Sequence, residues 1–211
     1  MSGLVLQSTE VVEPVTREEC KYWARVDGTY LDPMVDSLMV AARQWIEEYC
    51  TLSIGYQTWV QYLDFFPPSL PLDVPWEESW TGLPVAGTDK RTSIILGKPN
   101  VATVNAIEYL DEEGDTVVFP ETAWSVCLTA ARPFIYLNEG QTWPETQRIL
   151  NAVKIEFTAG LGDAIDNTGL VPEGIKTAIK MLVAAWLDNP TAAVPVAVKQ
   201  IVQPWNTSRI V

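Results

Sequence analysis

The chain has 211 residues, 47% of them hydrophobic, which is enough to bury a real core without disulfide or metal staples. Twenty-seven acidic residues against fourteen basic ones give a net charge of −13, a sign that repels phosphate and argues against tight electrostatic binding to DNA or RNA. Histidine is absent, which removes the commonest general base and metal ligand and excludes a conventional catalytic triad.

Residues 1–15 have no helical periodicity and are expected to run as an extended arm. The chain start lacks the basic region and apolar stretch of a signal peptide. The longest apolar run, residues 181–187, is too short to span a bilayer, so a chain that is soluble and intracellular at synthesis is expected. Thr16-Arg17-Glu18-Glu19 has the form of a capping box and predicts a short helix to about Ala24. Asp32-Pro33 predicts a second start, with Asp32 as the N-cap acceptor and proline at the first helical position. From there Val35, Leu38, Met39, Ala42, Trp45, Ile46 and Tyr49 recur at three- and four-residue steps and mark one apolar stripe on a helix ending near Thr51.

The pattern then changes to strands. Residues 55–66 are rich in aromatic and β-branched types and stop at Pro67-Pro68. Residues 67–92 carry prolines, glycines, tryptophans and acids with no period, and are read as a long loop. Short strands are predicted over 93–96, 104–110, 116–119, 124–128, 134–137 and 152–158, with 111–115 as a hairpin turn. Pro172-Glu173 opens a second long helix with a stripe of Ile175, Ala178, Ile179, Leu182, Val183 and Trp186, stopped by Asn189-Pro190. A short helical stretch over 195–202 and a tail over 204–211 close the chain.

This order predicts an α+β fold: a small α-helical bundle (16–54 and 170–203) carrying an inserted β-rich subdomain (55–169), with an extended N-terminal arm and a C-terminal tail. Each long helix has one apolar face, and the two most simply bury those faces against each other.

Candidate chemistry is sparse. Gly160-Leu161-Gly162 follows a strand, but Ile165 stands where a dinucleotide fingerprint needs its third glycine, and Asp163 and Asp166 would meet a phosphate with negative charge. A turn is the better reading. The acids Asp163 and Asp166 with Asn167, and the run Asp111, Glu112, Glu113 and Asp115, lack calcium-loop spacing and read as solvated loop residues. Cys20, Cys50 and Cys127 lie far apart without a C-x-x-C pair and read as small buried hydrophobes in a reducing compartment. Asn206-Thr207-Ser208 has the form of a glycosylation sequon, which has no bearing outside a secretory route. Nine tryptophans and fifteen prolines are many for this length, and aromatic, proline-rich segments point to protein contact. Trp76, Trp80 and Trp143 have the shape to stack on sugars or bases, although no basic groove accompanies them. No catalytic residue, cofactor or metal is expected.

The segments "TREECKYWARVDGTYLDPMVDSLMVAARQWIEEYC", "YQTWVQYLDFFP", "IILGKPNVATVNAIEYLDEEGD", "GQTWPE", "VKIEFTAGLG" and "VPEGIKTAIKMLVAAWLDN" occur in an order and spacing that resembles the head-tail connector, or adaptor, proteins of tailed bacteriophages. The resemblance runs from about Thr16 to Asn189. It implies a non-enzymatic virion protein of the neck: a dodecameric ring on the outer face of the portal protein, extending the DNA channel towards a stopper or tail-completion protein. It implies no membrane and no specific DNA binding, and the acidic charge suits a wall past which DNA slides. By position, the tail would dock into the portal, with Trp205, Ile210 and Val211 as apolar anchors and Arg209 as a pairing charge. Loop 67–92 looks longer than is usual in that family, and Trp76 and Trp80 are assigned to a neighbouring subunit or another neck protein. The competing reading is a carbohydrate- or receptor-binding β module of a virion.

Overall fold

The structure is a computed structural model that describes residues 3–7, 12–67, 93–162 and 171–207. Loop residues 68–92, with Trp76 and Trp80, the acids Asp163 and Asp166 with Asn167, and the tail residues Arg209, Ile210 and Val211 lie outside the described residues. The chain divides into two compact units, one of Met1–Ser8 with Thr58–Thr158 and the other of Thr9–Gln57 with Ala159–Val211.

The second unit is helical. α1 (Arg17–Ala24) begins with the expected capping box: the Thr16 hydroxyl accepts from the Glu19 amide at 3.2 Å, and the Glu19 carboxylate accepts from the Thr16 amide at 2.8 Å. α2 (Asp32–Cys50) differs at its start. Its N-cap is Leu31 and no side chain caps it. Asp32 lies inside the first turn, where its carboxylate accepts instead from Lys21 Nζ at 2.8 Å and Arg17 Nη1 at 3.3 Å. Two cations from α1 thus take the acceptor that sequence assigned to the backbone. α3 (Glu173–Asp188) and α4 (Val196–Val202) complete the bundle.

The apolar stripes of α2 and α3 meet as expected. Val35, Ala42, Ile46 and Cys50 are fully buried in one cluster with Ile175, Ala178, Ile179, Leu182 and Val183, joined by Cys20 from α1 and Val198 and Val202 from α4. One polar network lies beside this core. Arg43, nearly buried on α2, donates to Glu13 at 3.0 Å and to Glu47 at 2.7 Å. Glu47 also accepts from the Ile54 amide at 2.8 Å and from Gln57 Nε2 at 2.9 Å. Buried charges persist only when paired and hydrogen-bonded in this way.

The first unit contains two sheets. The five-stranded sheet has the order β1-β2-β8-β4-β5, with β1 (Gly3–Leu6), β2 (Gln57–Leu63), β4 (Val101–Leu110), β5 (Thr116–Val118) and β8 (Val153–Ala159). The three-stranded sheet has the order β3-β7-β6, from β3 (Ile94–Ile95), β6 (Trp124–Cys127) and β7 (Phe134–Leu137). β8 shows why period-two sequence makes a half-buried strand: Val153, Ile155 and Phe157 are fully buried, while Lys154 on the other face pairs with Glu108 of β4 at 2.9 Å. Phe66, Tyr109, Phe119 and Trp143 pack as an aromatic cluster, with Phe66 and Trp143 stacked at 4.8 Å between centroids.

Two expectations about organisation change. Residues 3–6 do not run as a free arm, because they pair antiparallel with β2, Leu4 opposite Gln61 and Leu6 opposite Trp59. The β-rich unit is also narrower than 55–169. Leu161 packs against the helical core and its amide donates to the Ile54 carbonyl at 2.9 Å, and the crossings after Gln57 and after Thr158 lie closer to the strands than sequence suggested.

Candidate interaction surfaces

The C-terminal region is the first surface singled out by sequence. α4 leads into a single 3-10 turn, Gln203–Trp205. Beyond it Asn206 Nδ2 donates to the Tyr49 carbonyl at 3.0 Å, and Thr207 donates through its hydroxyl to the Cys50 carbonyl at 3.0 Å. The last carbonyls of a helix have no intrahelical donor, and these two side chains supply one at the end of α2. Residues 204–207 are therefore not a free tail. Trp205 is half-buried against the bundle core and lies on Gly174 at the start of α3. Of the four tail residues singled out, only Trp205 is described, and it packs within its own chain.

Trp143, weighed as a stacking platform for sugars, is 7% exposed and belongs to the aromatic core. Gly160-Leu161-Gly162 carries no sign of a phosphate loop. A Cβ on Gly160 would lie 2.7 Å from the Gly55 carbonyl oxygen and 2.7 Å from Tyr56 Cα, so the glycine lets two backbone segments touch. Asp111 serves its own turn, its carboxylate accepting from the Asp115 amide at 2.8 Å while Gly114 takes φ +91°. Among the described residues no group of three His, Cys, Asp or Glu side chains is placed to hold a metal ion, and no helix is long and apolar enough to cross a membrane. Burial pushes the Cys20 thiol up to about 12 and the Cys50 thiol up to about 11, so neither forms a thiolate near neutral pH.

Three further surfaces escaped sequence reasoning. Tyr22 and Tyr30 are 88% and 93% exposed, and Trp23 and Met34, close to them in sequence, are exposed as well. They stand on a stiffened connection. Lys21 donates to the Gly28 carbonyl and to Asp32, and Arg25 adopts a left-handed conformation that closes α1. Exposed aromatics on a fixed backbone lose little entropy on binding, which is how contact hot spots are built. Neither tyrosine belongs to a periodic pattern in the sequence, so neither was singled out there.

The second surface joins Phe65, Ile149 and Leu150, the last 78% exposed. The Asn151 amide, in a residue at φ +60°, donates to Asp64 at 3.1 Å and fixes these two loops side by side. That hydrogen bond holds the Asp64 carboxyl below the usual carboxylate range. The third surface is the pair of edges of the five-stranded sheet, β1 and β5, with which no further strand pairs among the described residues.

No protein-family model matches the sequence, and no curated protein matches it. Solved structures do. The chain is similar to a chain in the neck of an empty GTA particle computed with C6 symmetry, with a TM-score of 0.70 and 21% identity over 98% of this chain and 97% of that one. It is similar to a chain in the virion of a native gene transfer agent (GTA) particle, with a TM-score of 0.69, 21% identity and the same coverage. A chain in the neck of a native GTA particle computed with C12 symmetry matches with a TM-score of 0.63 and 22% identity, again over 98% and 97%. Over nearly its whole length the chain has the fold of a chain built into gene transfer agent particles.

Proposed function

We propose that this protein is a structural component of the neck of a phage-like virion, a head-tail adaptor that assembles as a ring. The observation that carries this reading is the fold likeness across 98% of the chain to chains in neck structures computed with C6 and C12 symmetry. It agrees with the adaptor resemblance that the order of motifs suggested independently. On this reading twelve copies line a channel whose acidic wall does not grip the phosphate backbone, and DNA passes without specific binding. The ring seats on the portal protein and hands the channel on to a stopper or tail-completion protein. Its work is contact rather than catalysis.

Portal docking is assigned to the C-terminal end. Because Trp205 is engaged within the bundle, the assignment falls first on Arg209, Ile210 and Val211, and Trp76 and Trp80 remain assigned to contacts with a neighbouring subunit or another neck protein. The sugar-binding alternative loses support with Trp143 buried in the core. The test is electron microscopy of the chain mixed with the portal protein of the same particle, with and without residues 208–211. A twelve-fold ring on the portal that is lost on truncation is expected. A monomer that binds sugars, or labelling of intact particles away from the neck, would overturn the reading.

A further inference from the structure

We propose that the two edges of the five-stranded sheet, unpaired among the described residues, are the complementary halves of a contact between successive copies of this chain, β1 of one copy adding to β5 of the next. The inference deepens the ring reading and rests on it for the number of copies, but the pairing itself is argued from the sheet.

The hydrogen-bond phase of each edge follows from its register. β1 pairs with β2 so that Leu4 faces Gln61 and Leu6 faces Trp59, and the Gln7 amide donates to the Thr58 carbonyl at 2.9 Å. In an antiparallel pair, residues that exchange hydrogen bonds alternate with residues that do not. Gln7 and Thr58 are a bonded pair, so Val5 and Gly3 are too, and Leu4 and Leu6 turn their amides and carbonyls outward. On the far edge Val118 faces Glu108, and the Phe119 amide donates to the Ile107 carbonyl at 2.7 Å. The same alternation directs the amides and carbonyls of Thr116 and Val118 outward. Each edge thus offers two outward residues spaced two apart, and the two sets match.

The residues on these edges favour addition of a strand. Protected edges carry lysine, proline or an inward charge. β1 reads Gly-Leu-Val-Leu and β5 reads Thr-Val-Val, with no charge and no proline in either. Leu4, Val5, Leu6 and Val118 are 38%, 50%, 45% and 60% exposed. Two copies of a chain at −13 repel each other, so their contact is least costly where both surfaces are uncharged. Joining unlike edges is head-to-tail, the kind of contact that closes a ring.

The test uses the 211-residue chain with Cys127→Ser, since Cys20 and Cys50 are buried. Leu6→Cys and Val118→Cys are combined in one chain, with Leu4→Cys and Val118→Cys as the alternative register, and each single variant as control. Oxidation of concentrated protein is expected to give a ladder of covalent dimers, trimers and larger species from a double variant, and no species beyond dimer from any single one. Leu6→Pro, which removes only an outward amide, is placed in the Leu4→Cys/Val118→Cys chain, where it is expected to keep the melting temperature and abolish the ladder. Dimers alone, or no cross-link in either register, overturn edge pairing. A ladder with no ring in negative stain once the portal protein is added supports edge pairing and sinks the neck reading, whereas rings that survive Leu6→Pro sink edge pairing and leave the neck reading standing.

Discussion

The indole of Trp205 lies against Gly174, where a Cβ would stand 2.8 Å from Cη2 and 3.1 Å from Cζ3. The glycine occupies the first turn of α3 because only the bare backbone leaves room for the ring. Gly174→Ala adds helix propensity of at most about 1 kcal/mol, while overpacking costs about 1–3 kcal/mol. The expected result is a net loss of stability in chemical denaturation, with faster amide exchange over residues 196–207. In a Trp205→Ala background the same substitution should be neutral or stabilising. Equal effects in both backgrounds would show that the two residues are not coupled.

Gly160→Ala meets the Tyr56 ring and also backbone that cannot turn aside, at the Gly55 carbonyl oxygen and Tyr56 Cα. The change is expected to cost at least about 1–3 kcal/mol, the range for forced backbone shifts. A denaturant midpoint equal to the parent's would show that the close approach at Gly55-Tyr56 is dispensable.

Arg43 is the pivot of the buried polar network, and its loss removes the cation with which both Glu47 and Glu13 pair. Arg43→Ala is expected to destabilise by about 3–5 kcal/mol, as for other buried pairs broken on one side. Arg43→Met combined with Glu47→Gln should recover part of that loss, because Gln still accepts from the Ile54 amide. Thermal melts of the three proteins decide the order.

Two carboxylates give acid sensitivity a defined sign. Glu19 is held below the usual glutamate range, first by the Thr16 backbone amide, and Asp36 below the usual aspartate range, first by its hydrogen bond from Arg17. A carboxylate depressed in the folded state stabilises fully above its unfolded value, and that contribution fades as pH falls through the folded value. Between neutral pH and about pH 3, the melting temperature should therefore fall less for Glu19→Gln with Asp36→Asn than for the parent. A parallel fall in both would exclude these two groups as the source. Both carboxylates are in contact with solvent, so the share expected from each is small.

Chain order alone made the helices legible, since caps, breakers and the three- and four-residue stripe act between neighbours on one turn. Arg17–Ala24 and Glu173–Asp188 lie where Thr16, Glu19 and Pro172-Glu173 placed them. The short strands were legible for a similar reason, with 134–137 matched in full and the others within a few residues. Of the tail residues singled out, Trp205 packs within its own bundle and the others lie outside the described residues. Tyr22, Tyr30, Phe65 and Leu150 leave no periodic trace, because being exposed imposes no pattern.

Sequence by itself determined the absence of histidine, the acidic surface and the helix–strand–helix order, all of which are properties of composition and of near neighbours. Only tertiary structure decided that residues 3–6 join β2, that Asp32 serves two cations instead of capping its helix, that Trp143 enters the aromatic core, and that Asn206 and Thr207 cap α2. Each of those outcomes is a choice among partners tens to more than a hundred residues away. Such choices depend on which donors, acceptors and apolar faces remain unsatisfied once the local elements have formed.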